Sequence, residues 1–200
     1  MNIIWLNGWG LSSRYVERIA VSLYPNLHHT VILPAPNWIE LLAKQNFDSI
    51  LVGYSLGAFL LLSRPDLATR FSQTILLAPF EDFRAEAGRG GRIRKAQLAY
   101  LLRWLGRNRV EALGDFWSRA ELKDPAYPKE LTTCDLEWGI QRLLKSSACG
   151  WPVLRLKSYV GDQDRLLDAG DLKNRSRYLN VVAGAGHDLL PLAKAAKLAE

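Results

Sequence analysis

The chain has 200 residues, 48% of them hydrophobic and 23% charged, which excludes a disordered protein and argues for one domain carrying an insertion. Its 26 Lys and Arg against 20 Asp and Glu leave a formal net charge of +6, and two cysteines, Cys134 and Cys149, are too few for a disulfide scaffold and read as free thiols. No C-x-x-C metal spacing occurs, and the most apolar uncharged stretch, residues 49–63 (SILVGYSLGAFLLLS), falls short of the ~18 apolar residues that a membrane span needs.

The first ten residues, MNIIWLNGWG, lack the basic region of a signal peptide and already read as a strand, so a cytoplasmic protein is expected. Residues 3–7 (IIWLN) form a buried strand ending in the turn Gly8-Trp9-Gly10. Ser12 or Ser13 can cap a helix over residues 14–24, in which Tyr15, Val16, Ile19, Ala20 and Leu23 recur at helical spacing until Pro25 stops it. Residues 30–33 (TVIL) give a second strand, with His28 and His29 read as loop residues ahead of it. A short helix follows at residues 38–44, then a third strand at 49–54 (SILVGY). Residues 56–63 (LGAFLLLS) are apolar all round, as suits a helix packed deep on a sheet. Strands at residues 74–78 (TILLA), 153–159 (VLRLKSY) and 178–182 (YLNVV) complete the alternation. Near-continuous apolar strands separated by helices indicate a mostly parallel sheet covered on both faces.

Between residues 81 and 150 only helical patterns stand out, at residues 93–105, 110–117 and 136–144. The expected organisation is therefore an α/β core over residues 1–80 and 151–200, with a helical cap inserted at 81–150. The excess charge sits on the first part of that insertion. Arg84, Arg89, Arg92, Arg94, Lys95, Arg103, Arg107 and Arg109 face only Glu81, Asp82 and Glu86 between residues 81 and 109, which accounts for five of the six net charges. A basic surface attracts nucleic acid, anionic lipid or an acidic protein; no nucleic-acid-binding motif accompanies this one.

The sharpest local signal is Gly53-Tyr54-Ser55-Leu56-Gly57, a G-x-S-x-G between an apolar strand and an apolar helix. A sharp strand-to-helix turn lifts a serine hydroxyl above the sheet edge, and glycines let the neighbouring backbone pass closely. A serine nucleophile needs a base and an orienting acid. His187, in Gly184-Ala185-Gly186-His187-Asp188, follows the last strand and can reach the same edge. Asp162 and Asp164, in Gly161-Asp162-Gln163-Asp164, follow the fifth strand, and both are candidates for the acid. The order Ser, Asp, His is that of the α/β hydrolases. The oxyanion donors expected are the Leu56 N–H and the Trp9 N–H from the loop after the first strand, with the Trp9 indole also walling the pocket.

These residues carry a resemblance. Asn7-Gly8-Trp9-Gly10-Leu11, Gly53-Tyr54-Ser55-Leu56-Gly57, Gly161-Asp162-Gln163-Asp164 and Gly186-His187 resemble motifs of the α/β-hydrolase superfamily. Within it they are similar to the pimeloyl-[acyl-carrier protein] methyl ester esterases of biotin synthesis, the BioH type. Residues 136–144 (LEWGIQRLL) are similar to the helix that closes that family's cap. Asn7 stands where the family has His, the D-x-P-G-x-G loop after the second strand is missing, and the chain is shorter. The resemblance implies an α/β-hydrolase fold, a compact mostly parallel sheet with an inserted helical cap, and the triad Ser55, Asp164 and His187. It implies hydrolysis of the methyl ester of a pimeloyl group carried on acyl carrier protein, with no metal or other cofactor. On that reading Arg92 and Lys95, and Arg103 and Arg107 if one helix runs through them, dock the carrier and its phosphopantetheine arm, and the protein acts as a monomer without nucleic acid or membrane. The alternative is a generic carboxylesterase or thioesterase acting on small acyl esters.

Overall fold

The structure, a computed structural model, describes residues 2–148, 151 and 155–198. In chain order the core begins with β1 (Asn2–Leu6), α1 (Ser13–Leu23), β2 (His28–Ile32), α2 (Trp38–Ala43), β3 (Ile50–Tyr54), α3 (Leu56–Leu62), α4 (Pro65–Ala68) and β4 (Gln73–Leu77). An insertion follows: β5 (Asp82–Arg84), β6 (Gly90–Ile93), α5 (Lys95–Leu105), α6 (Arg109–Arg119) and α7 (Thr133–Lys145). The core then closes with β7 (Lys157–Gly161), α8 (Ala169–Arg175), β8 (Leu179–Val182) and α9 (Leu189–Ala196).

The core strands form one sheet in the order β2-β1-β3-β4-β7-β8, with every pair parallel. Successive side chains of a strand point to opposite faces. The burial of Ile3, Ile4, Trp5 and Leu6, and of every residue of β3, therefore requires cover on both faces. The chain runs outward from β1 to β2, then returns past β1 to β3. The carboxyl ends of β1 and β3 thus flank the point where strand order reverses, the place where open parallel sheets hold ligands.

Helix ends follow local chemistry. Ser12 rather than Ser13 caps α1, accepting from the Tyr15 N–H. Thr132 and Asp135 form a reciprocal capping box on α7, and Asp168 and Asp188 cap α8 and α9.

Three expectations need correction. His28 and His29 lie within β2, paired with Asn2 and Ile3, and not in a loop. This strand is at the sheet edge, so its half-exposed positions accept polar side chains. The strand expected at residues 153–159 is found at Lys157–Gly161; residues 153 and 154 lie outside the described residues. The insertion is not purely helical: β5 and β6 pair in parallel, and glycines at 88, 90 and 91 broke the periodic pattern there. Gly90 has φ +92, and a Cβ on Gly91 would lie 2.1 Å from the Phe83 carbonyl oxygen, so a side chain has no room at this crossing.

The two ends of the insertion are fastened to each other by a buried ion pair. The Arg84 guanidinium donates to both oxygens of the fully buried Asp82 (2.8 and 2.6 Å) and to the Leu144 carbonyl oxygen (3.1 Å), while Ser147 Oγ donates to Asp82 as well. Burial by itself would raise the Asp82 pKa. The hydrogen bonds from Arg84 and Ser147 outweigh it and hold the carboxyl below its ordinary 3.8. A depressed folded-state pKa adds stability above the ordinary value and loses it as pH falls through the folded value. Asp82→Asn is expected to lower unfolding stability by about 3 kcal/mol at neutral pH in urea titrations. The gap between variant and parent should narrow as both are acidified below pH 3.8.

Candidate active site

Ser55 occupies the single residue between β3 and α3, with φ +52 and ψ −113. A non-glycine residue in such a conformation carries about 1–3 kcal/mol of strain and persists only where its surroundings impose it. Here they do. The Ser55 N–H extends the β3–β4 ladder by donating to the Leu77 carbonyl oxygen (2.9 Å), and its own carbonyl oxygen accepts from Phe59 N–H in α3 (3.0 Å). One residue must finish a strand and start a helix. Gly57 makes the turn sterically feasible: a Cβ there would lie 2.0 Å from the Leu6 carbonyl oxygen.

His187 and Asp164 meet this hydroxyl from the ends of two other strands. His187 Nε2 lies 2.9 Å from Ser55 Oγ, and His187 Nδ1 lies 2.7 Å from Asp164 Oδ2. A carboxylate can only accept, so Nδ1 carries the proton and Nε2 is free to accept from the serine. Asp164 Oδ1 takes the Leu166 and Leu167 N–H groups (2.8 and 3.0 Å), which reserves Oδ2 for the imidazole. The second candidate acid is engaged elsewhere. Asp162 Oδ1 accepts from Gly184 N–H (2.8 Å), fixing the base loop to the acid loop. Ser55, His187 and Asp164 are at most 6% exposed. The base loop is also held from below, where Tyr54 Oη donates to the His187 carbonyl oxygen (2.7 Å). Burial, then the charges of Tyr15, Asp188 and Asp164 nearby, push the Tyr54 pKa well above its ordinary value, so this phenol remains a donor.

The loop after β1 is built around Asn7. Its side-chain nitrogen donates to the Leu11 and Ser12 carbonyl oxygens (3.1 and 3.2 Å), and its oxygen accepts from Gly8 N–H (2.7 Å). This buried amide shapes the turn that presents Trp9. Leu56, the first residue of α3, has an N–H with no intrahelical partner. Trp9 and Leu56 converge on Gly139 of α7, where a Cβ would lie 2.4 Å from Trp9 Cδ1 and 3.1 Å from Leu56 Cδ2.

A sequence model of the alpha/beta hydrolase family matches residues 3–200. The chain belongs to that family. Solved structures share its fold. One is an esterase from Exiguobacterium antarcticum, with a TM-score of 0.72 at 14% identity, covering 98% of this chain and 88% of the other. Another is the esterase RhEst1 from a Rhodococcus strain, at 0.66 and 14%, covering 99% and 87%. A third is BioG from Haemophilus influenzae, at 0.57 and 12%, covering 93% and 88%. At these identities the likeness is one of fold. No curated protein sequence matches the chain.

The insertion of this hydrolase holds a cavity of about 260 Å³ whose walls are mainly apolar, Phe83, Ile93, Leu98, Leu101, Phe116 and Leu166; Ser55, His187 and Asp164 do not line it, and Leu166, whose N–H bonds Asp164 Oδ1, is the link between the two. Asp115 and Arg119 add a charged pair, 2.7 Å apart. Phe116 lines this cavity and Trp9 does not. The Trp9 indole packs edge-on to Phe116 (4.7 Å between ring centroids) and donates to the Leu136 carbonyl oxygen (2.8 Å). Leu98 and Leu101 of α5 line the cavity, whereas Leu105 of the same helix is buried elsewhere.

The basic residues divide into two groups. Arg84 and Arg109 hold the insertion together; the latter donates to the Pro128 and Leu131 carbonyl oxygens. Arg92, expected to face a partner, is exposed and bonds Asp168 and the Asp164 carbonyl oxygen. Lys95, Arg103 and Arg107 are exposed. The condition that would align Arg103 with Arg107 fails, because α5 ends at Leu105 with Gly106 as its cap. Arg92 and Lys95 likewise share no helix, since Arg92 lies in β6. Among the described residues, no group of His, Cys, Asp or Glu is arranged to hold a metal ion, and no helix is long and apolar enough to cross a membrane. Cys134 is exposed, and Cys149 lies outside the described residues.

The sequence offered no signal for the side-chain bonds of Asn7 and Tyr54, which depend on contacts made only after folding. Asn7→Ala should leave three buried backbone groups without partners. The expected result is a loss of about 2–3 kcal/mol in urea unfolding, with the native circular dichroism spectrum retained.

Proposed function

We propose that this hydrolase is a serine carboxylic ester hydrolase. The observation that carries the reading is the continuous hydrogen-bonded line from Ser55 Oγ through His187 to Asp164, at 2.9 and 2.7 Å, anchored at a strained strand-to-helix turn. On this reading His187 Nε2 takes the Ser55 proton as Oγ attacks the ester carbonyl. Asp164 holds the imidazole in the required tautomer and stabilises the imidazolium that forms. The Trp9 and Leu56 N–H groups receive the oxyanion, a contribution worth about 3 kcal/mol of barrier for one donor. His187 then returns its proton to the leaving alcohol. A water, deprotonated in turn by His187, attacks the acyl-enzyme and regenerates Ser55.

For the substrate we infer the methyl ester of a pimeloyl group on acyl carrier protein. Support comes from the motif resemblance, from an apolar cavity suited to a methylene chain, and from Lys95, Arg103 and Arg107 as exposed cations for an acidic carrier. Arg92 leaves that docking set because its guanidinium is already engaged. The same engagement favours a second reading, hydrolysis of small free acyl esters, since it thins the cationic surface.

Turnover of carrier-linked pimeloyl methyl ester and of a free short-chain methyl ester separates the two readings, with Ser55→Ala as the blank. Ser55→Ala should reduce both by at least about 10³-fold. The double variant Arg103→Glu/Arg107→Glu should cut carrier-linked kcat/KM about tenfold or more at low salt, with free-ester turnover unchanged and the difference shrinking as salt is added. Equal turnover of the carrier substrate by parent and double variant would remove the carrier from the proposal.

A further inference from the structure

The loop that presents Asp164 is not self-supporting. Residues 166–168 run alongside β6 of the insertion. Arg92 N–H donates to the Leu166 carbonyl oxygen (2.9 Å), and Asp168 N–H donates to the Gly90 carbonyl oxygen (2.8 Å). Gly91 forms an antiparallel bridge with Leu167 between them. The acid loop is thereby paired to the edge of the small β5–β6 sheet through one isolated antiparallel bridge.

The Arg92 side chain reinforces the same stretch. Its Nη1 donates to the Asp164 carbonyl oxygen (3.2 Å), and its Nη2 bonds Asp168 Oδ2 (3.1 Å). The planar guanidinium spans both ends of the turn that brings the Leu166 and Leu167 N–H groups onto Asp164 Oδ1. The Asp171 N–H, followed by Arg92, holds the Asp168 carboxyl below its ordinary pKa, so the ion pair stays charged at neutral pH. A rotation of this turn would swing Oδ2 away from His187 Nδ1.

We propose that Arg92 is a positioning residue: by bridging the Asp164 carbonyl oxygen and the Asp168 carboxylate it sets the angle at which Asp164 receives His187, and so couples the insertion to the proposed triad. The proposal rests on the serine hydrolase reading for its kinetic consequence, but its geometric core concerns Asp164 and His187 alone. A second link between insertion and acid loop, the exposed pair Arg165–Glu121 (2.8 Å), makes no bond to Asp164 and serves as the comparison.

The test measures kcat and KM for a short p-nitrophenyl ester, together with the low-field proton resonance of His187 Nδ1–H. It uses the parent, Arg92→Ala, Arg92→Lys, Glu121→Gln and Ser55→Ala proteins. Arg92→Ala should lower kcat about 10- to 100-fold with KM within about twofold, because a displaced acid costs orientation and not binding. Its Nδ1 proton should exchange with water fast enough to broaden. Arg92→Lys keeps the charge and reaches one acceptor at a time, so it should recover part of both signals. Glu121→Gln should match the parent. An unaltered kcat or an unaltered Nδ1 resonance in Arg92→Ala would overturn the proposal, as would an equal loss in Glu121→Gln. Full activity in Ser55→Ala would instead overturn the serine hydrolase reading, and the resonance would still decide the role of Arg92.

Discussion

The backbone of Ser55 is the constraint on which the site depends. Its carbonyl begins α3 while its N–H still belongs to the β3–β4 ladder, so the residue is held at positive φ by hydrogen bonds on both sides. That turn exists only because Gly57 lets α3 come down onto the end of β1, where any Cβ would strike the Leu6 carbonyl. The resulting strain of about 1–3 kcal/mol is offset by burial of α3, whose residues are all in the core. In return the hydroxyl stands at the carboxyl edge of the sheet with its position fixed before any ligand arrives.

The parallel sheet does the rest by topology. Loops after β1, β3, β7 and β8 all leave the same edge, so residues separated by more than a hundred positions meet without a dedicated scaffold. What topology leaves loose, individual side chains fix. Asn7 shapes the first loop, Asp162 ties the acid loop to the base loop, and Tyr54 supports the base loop from beneath. The insertion takes part as well, through β6 and Arg92 on the acid loop and through the Lys123 N–H on Asp188. It acts as a structural partner of the site.

The parallel core, the strand-to-helix turn at Ser55 and the base loop at His187 were all legible in the sequence, because each rests on local patterning: apolar runs, glycines at fixed offsets, residues immediately after strands. Asp162 and Asp164 were not separable by spacing; the family resemblance favoured Asp164, and of the two it is Asp164 that is hydrogen-bonded to His187. Illegible were β5 and β6, short strands whose glycines mask any period, and the placement of His28 and His29 in an edge strand. The basic segment misled in a specific way. Counting charges treated Arg84, Arg92 and Arg109 as available cations, yet each, the exposed Arg92 included, is engaged by main-chain or carboxylate oxygens, several of them far away in sequence. Net charge can be read from a sequence, but the partner of each guanidinium cannot.

The most direct test of the central claim, that the strained turn and the His187–Asp164 pair make Ser55 a nucleophile, is covalent labelling of the native protein with a fluorophosphonate, mapped by peptide mass spectrometry. The account predicts one adduct, on Ser55, that is absent from Ser55→Ala and forms far more slowly in His187→Ala. A folded parent protein that takes no label at Ser55, or labels equally well without His187, would contradict it.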